Sequence, residues 1–197
     1  MVLVLSLVGI IFISGVKTSF FLKIGLIGLI MIAGLIIVAP YRMARIVSFL
    51  NPWSDPLGSG YQIIQSLYAI GPGGLLGQGF LKSRQKNFYL PEPQTDFIFS
   101  IISEELGFMG VLFTSFMFGA IFYLCIKISM KQSDLFLKYL SFGLSFALIA
   151  QALLNLMVVV GLIPVTGVTL PFLSYGGSSL LISMASVGII LGINEHK

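Results

Sequence analysis

The sequence predicts an all-α fold: a polytopic integral membrane helix bundle with about five spanning helices and one long extramembrane loop. Three observations predict it. Of the 197 residues, 57% are hydrophobic and 9% charged, with a mean hydropathy of +1.04, whereas a soluble domain keeps roughly a quarter of its residues charged. Apolar segments recur at 1–13, 20–39, 97–126, 139–163 and 174–193, and the last four reach the ~20 residues that a bilayer-crossing helix needs. Between the second and third, the chain becomes dense in Pro, Gly, Ser, Asn and Asp, the residues of turns.

Segment 1–13 is short and starts abruptly at Met1. It lacks the basic n-region and the small-residue cleavage site of a signal peptide. It reads as a helix cut at its start, and the chain as the C-terminal part of something longer. Lys17 and Lys23 lie between the first two segments, Lys127, Lys131 and Lys138 between the third and fourth, and Lys197 at the end. The positive-inside tendency places these in the cytoplasm. Residues 1–197 then form a single membrane domain in which 40–96 is an extracytoplasmic loop containing short helices, and 164–173 is a second, shorter one.

Loop 40–96 is too long for a featureless connection. Residues 41–50 either continue the second helix or form an interfacial one, with Arg42 and Arg45 on one face. Those guanidiniums suit lipid phosphates or a substrate diphosphate equally. Trp53 in "NPWSDPLGSG" suits the membrane interface. "YQIIQSLYAI" has helical spacing, with Ile64, Leu67 and Tyr68 on one side and Gln62, Gln65 and Ser66 largely elsewhere. It is expected to lie flat on the surface or dip partway in. "GPGGLLGQGF" satisfies neither nucleotide motif, because Gly77 and Gly79 run into Leu81 and Lys82 with no βαβ context. Its glycines read as sites of close packing or a bend. The five loop cations Arg42, Arg45, Lys82, Arg84 and Lys86 stand against Asp55, Glu92 and Asp96. They depart from the simple charge rule and invite an anionic ligand.

The third segment opens on "LPEPQTDFIF". At about 100° per residue, Ser100, Ser103, Gly107, Gly110 and Thr114 fall within about 40° of Asp96, and Phe99, Leu106 and Phe113 lie opposite. Small and polar residues in lipid face other helices or a wet cavity, so Asp96 is expected to point along a protein-lined or hydrated groove. Capping is the alternative, with Thr95 as N-cap and Asp96 a first-turn acid. Glu104 and Glu105 lie about 12–13 Å deeper, where an acid needs a partner. Gln151 and Asn155, one turn apart on the fourth helix, are candidates. Cys125, inside an apolar run, reads as a small buried hydrophobe, and the isolated His196 offers no metal site. "PVTGVTLPFLSYGGSSLL" leads into the last helix, whose N-terminus with Ser174, Ser178 and Ser179 could hold an anion or merely be capped. The scattered cations give no support to nucleic-acid binding.

Three stretches, "NPWSDPLGSGYQIIQSLYAIGPGGLLGQGF", "YLPEPQTDFIFSIISEELGF" and "GLIPVTGVTLPFLSYGGSSLL", resemble the SEDS proteins, the FtsW/RodA/SpoVE group. The resemblance runs over about residues 1–193, and "SRQKNFYLPEP" is closer to the division and sporulation branch. It implies the C-terminal half of a fold of about ten membrane helices. It also implies a multi-pass protein of the bacterial cytoplasmic membrane: a peptidoglycan glycosyltransferase that polymerises lipid II, an undecaprenyl-diphosphate-linked disaccharide peptide, on the extracytoplasmic side. The partner implied is a class B penicillin-binding protein acting as transpeptidase. The family's essential acid falls on Asp96 and its loop arginines on Arg42 and Arg45. Gln94, in the same motif as Asp96, joins Lys82, Arg84, Lys86 and the three serines as a candidate substrate contact. A divalent cation, Mg or Mn, is the candidate cofactor, and no organic cofactor is expected. Two rival functions remain: a lipid II flippase, which intramembrane Glu104 and Glu105 would suit, and an inactive fragment that only docks to a transpeptidase.

Overall fold

In lipid a chain segment must satisfy its own backbone N–H and C=O groups, which an apolar run does by forming a helix. The computed structural model describes residues 2–38 and 40–195, with side chains at all of these except 32, 33, 35–38, 40–42 and 44. His196, Lys197 and the Arg42 side chain thus lie outside the described residues. The described chain is all-helical: α1 (Val2–Ile13), α2 (Thr18–Val38), α3 (Pro40–Leu50), α4 (Tyr61–Ile70), α5 (Arg84–Phe88), α6 (Ile98–Met130), α7 (Leu135–Val159) and α8 (Gly177–Glu195). Short 3-10 turns occupy Pro52–Ser54 and Gly71–Gly73. Helices α6, α7 and α8 are long and apolar enough to cross a membrane, whereas α1 and the stretch Thr18–Met31 of α2 are shorter apolar helices. Among the described residues, length and composition therefore support three of the five expected crossings.

Helix α7 is the hub, packing against α6, α1 and α8. Small residues let α1 approach it closely. A Cβ on Gly9 would stand 2.9 Å from the Phe146 ring, and one on Gly143 would stand 2.5 Å from Ile10 Cδ1. Helix α4 folds back onto α6, but through a different face from the one its spacing suggested. Ile63, Ile64, Ser66 and Ala69 are buried, while Leu67 and Tyr68 are exposed. Ser66 turns inward because its hydroxyl donates to the Val159 carbonyl at 2.8 Å, at the end of α7. Tyr68 instead stacks edge-on with Trp53, centroids 5.8 Å apart.

Helix α6 is broken at Gly107, whose φ of 65° and ψ of −159° belong to a region essentially reserved for glycine. Residues 74–79 fill the break. Gln78 N donates to Glu104 O at 2.9 Å and Gly79 N to Glu105 O at 3.0 Å, while Phe108 N donates to Gly74 O at 2.9 Å and Met109 N to Leu75 O at 3.2 Å. The glycine-rich loop thus serves close packing and a bend. Ser100, Ser103, Gly107, Gly110 and Thr114 are all buried, so the small, polar side of α6 faces protein. Leu106 and Phe113 are exposed as expected, but Phe99 is buried. It joins Leu90, Phe97, Ile101, Ala152, Val158, Val159 and Leu170 in a core at the loop-bearing end of the bundle.

Candidate functional site

Asp96 belongs to a series of turns rather than to α6, which begins two residues later at Ile98. "PEPQT" sets this up. Thr95 does not cap α6; its N–H and its hydroxyl both donate to Glu92 O, at 3.1 and 2.9 Å. The residue at the helix N-cap is Phe97, which makes no side-chain capping bond and is anchored by burial in the core. The capping role considered for Thr95 and Asp96 is therefore not how α6 starts. The hydrogen bond described at Asp96 falls on its backbone carbonyl.

The second wall of the site is the connection between α7 and α8. Asn155, fully buried, donates through Nδ2 to Asp96 O and to Val168 O, each at 2.7 Å. Gln151, one turn earlier, donates through Nε2 to Thr169 O at 3.0 Å, Thr169 Oγ1 at 3.2 Å and Ser179 Oγ at 3.3 Å. Tyr175 N donates to Gln94 O at 2.7 Å. The backbone at Gly167 passes beside the carboxylate: a Cβ there would lie 3.6 Å from Asp96 Oδ2. Asp96 is partly buried in this corner. Burial lifts its carboxyl above the ordinary carboxylate value, and the charge of Glu92 adds to that.

Gln151 and Asn155 thus serve the turn before α6, the α7–α8 connection and the start of α8, not Glu104 and Glu105. Glu104 has other partners. It accepts from Ser83 Oγ at 2.5 Å, Arg84 N at 2.9 Å and Gln85 N at 3.4 Å, so it holds the start of α5. Its carboxylate is occupied by donors of the loop before and at the start of α5. Glu105 is buried with Oε1 unpartnered.

Of the candidate cations, Arg45 is exposed and donates through Nη1 to Val165 O at 3.2 Å, tying α3 to the same connection that flanks Asp96. A cleft of about 190 Å³ lined by Arg45, Ser48, Ser59, Gln62 and Val165 opens beside it. Lys82, Arg84 and Lys86 are exposed around α5, which Ser83 caps by accepting from Lys86 N at 3.0 Å. Among the serines expected near α8, only Ser178 is exposed. Ser174 Oγ accepts from Leu170 N at 2.7 Å, and Ser179 Oγ pairs with Thr169 Oγ1 at 2.9 Å. Gln94 is exposed and joined to the corner through its carbonyl. Thr169, Gly167 and Ser83 escaped sequence reasoning. The one signal for the first two was an uncharged "TGVTLP" between two apolar helices.

No three His, Cys, Asp or Glu converge among the described residues. What the corner offers is a partly buried carboxylate beside the Gly167 backbone, on a residue whose own carbonyl is held by Asn155.

The FTSW_RODA_SPOVE family model, described as "Cell cycle protein", matches residues 1–197. The chain is 53% identical over 187 residues to the stage V sporulation protein E of Bacillus subtilis (strain 168), covering 95% of the chain and 51% of that protein. It is 46% identical over 185 residues to a probable peptidoglycan glycosyltransferase FtsW of Geobacter sp. (strain M18), covering 94% and 50%. Thus the chain spans about half the length of the curated relatives it matches. Among solved structures, one described as "Structural coordination of polymerization and crosslinking by a peptidoglycan synthase complex" matches at a TM-score of 0.75 and 30% identity, over 99% of this chain and 54% of that one. A mutant of the rod shape determining protein RodA of Thermus thermophilus matches at 0.51 and 33% identity, over 66% and 39%.

Proposed function

The chain belongs to the FtsW, RodA and SpoVE family of cell cycle proteins, and on that premise we propose that it forms the catalytic half of a peptidoglycan glycosyltransferase. In this role it polymerises lipid II on the extracytoplasmic face of the bacterial cytoplasmic membrane, in division or sporulation. The observation that carries the reading is the Asp96 carboxylate. It is partly buried, uncommitted to capping, and set where the turn into α6 meets the connection from α7 to α8.

Glycan growth requires a sugar hydroxyl to attack the anomeric carbon of a lipid-linked donor. The new C–O bond forms as the bond to the lipid diphosphate breaks. Asp96 takes the proton of the attacking hydroxyl, and the diphosphate departs with the electron pair. General-base assistance of this kind is worth about 10²–10⁴ in rate. Arg45, Lys82, Arg84 and Lys86, with Arg42, are the groups available to meet the charge that develops on the leaving diphosphate. A bound divalent cation would be held by the Asp96 and Glu92 carboxylates and would supply positive charge for the departing diphosphate. The partner proposed is a class B penicillin-binding protein, in keeping with the peptidoglycan synthase complex that the fold resembles.

The test is reconstitution of the full-length gene product in vesicles with lipid II on the accessible side and the transpeptidase present. Glycan strands are expected from the native protein. Asp96→Asn should insert normally and make none. Strands of normal length from that variant would remove Asp96 from the mechanism, and labelled lipid crossing the bilayer without chain growth would point to transport instead.

A further inference from the structure

We infer that Asn155 is a positioning residue that sets Asp96 for proton abstraction, an inference resting on the general-base role assigned above. One buried nitrogen donates to the carbonyls of Asp96 and Val168, both at 2.7 Å. The two acceptors lie on different connections, the turn into α6 and the segment between α7 and α8. Val168 is also the neighbour of Gly167, whose backbone flanks the carboxylate. The amide therefore fixes the spacing between the base and the wall beside it.

Packing alone does not account for an amide at this position. Asn155 Oδ1 is buried with no partner among the described residues, and an unpaired buried acceptor is unfavourable. A leucine of similar shape would avoid it. Two carbonyl oxygens converging on one point call for two N–H donors on one atom, which a primary amide supplies without the desolvation of a buried cation. Nor does the residue merely hold the two connections together. Tyr175 N to Gln94 O, at 2.7 Å, already joins them, and Gln151 fastens Thr169 to α7 independently. What Asn155 adds is the placement of Asp96.

A general base works only within hydrogen-bond reach of its proton, and a shift of about 1 Å in a reacting group costs up to about 100-fold. Asn155→Leu and Asn155→Ala, tested in the full-length protein with its transpeptidase in lipid II vesicles, are expected to lower kcat about 10- to 100-fold. The KM for lipid II should stay within about threefold, since the chemistry and not donor binding is disturbed. The acidic limb of the pH–rate profile should also move to lower pH, because a loosened turn admits water to a carboxyl that burial now lifts and that Glu92 lifts further. A merely structural residue would change the amount of folded enzyme and leave that limb in place. Turnover within about twofold of native, an unmoved limb, or failure of both variants to accumulate would each overturn the inference. Asp96→Asn runs alongside: if it still polymerises, the general-base role fails, whereas an inactive Asp96→Asn beside normal Asn155 variants overturns only the positioning role.

Discussion

The side-chain nitrogen of Asn155 donates a 2.7 Å hydrogen bond to the backbone carbonyl of Asp96, 59 positions earlier in the chain. The corner around Asp96 is therefore assembled by side chains of α7 gripping backbone, a design that leaves the carboxylate itself available. Its environment, partly buried and next to Glu92, then governs when it is charged.

Burial first, and the negative charge of Glu92 second, raise the Asp96 carboxyl above the ordinary carboxylate value. A raised acid is disfavoured as the anion in the folded state. Its contribution to stability is therefore greatest below the unfolded value and is lost as pH rises through the folded one. Catalysis runs the other way, because only the ionised base accepts a proton. The acidic limb of kcat/KM is expected to lie above the ordinary Asp value. Glu92→Gln should move that limb to lower pH without restoring the ordinary value, because burial persists. A limb that stays put or climbs in this variant would contradict the electrostatic account.

Glu104 holds the first turn of α5 through Ser83 Oγ, Arg84 N and Gln85 N. Glu104→Gln keeps the shape but replaces one acceptor oxygen by an NH2 group that faces donors. The cost expected is about 1–3 kcal/mol, the range for stranding buried polar groups, and it should fall on the loop rather than on the bundle. Limited proteolysis within residues 80–90 is the measurement. Faster cleavage there, with α6 to α8 still protected, is the expected outcome, and an unchanged cleavage pattern would show that Glu104 does not anchor α5.

The helices were legible in the sequence because lipid leaves an apolar run few alternatives, and the small, polar side of α6 was legible because its spacing is helical. The site was only partly so. Asp96 could be singled out, but its position before α6 could not, since Thr95 looks like an N-cap and in fact bonds back to Glu92. From the sequence, the intramembrane acids Glu104 and Glu105 need partners, and Gln151 and Asn155 are the candidates. Their actual acceptors include the backbone carbonyls of Asp96, Val168 and Thr169, and a carbonyl is present at every residue and so leaves no mark in a sequence. Ser66 failed for the same reason, turning inward toward the carbonyl of Val159.

Gly107 and Gly119 lie on one helix and should respond oppositely to alanine. At Gly107 the backbone has φ 65° and ψ −159°, a conformation that costs a non-glycine residue about 1–3 kcal/mol. A Cβ there would also overlap Gly77 N and the Leu75 carbonyl. Both neighbours are backbone, pinned by the hydrogen bonds that insert residues 74–79 into the break, so neither can rotate away. At Gly119 a Cβ meets nothing within 4 Å, and alanine in a helix interior is favoured over glycine by about 1 kcal/mol. Thermal unfolding in detergent should therefore show Gly107→Ala with a lowered midpoint and Gly119→Ala unchanged or raised. Amide exchange at Gln78 and Gly79 should accelerate only in the first, because their N–H groups are the ones bonded across the break. Equal midpoints for the two variants would mean that the loop does not sit in the break of α6, and the anchoring of α5 by Glu104 three residues before it would need another explanation.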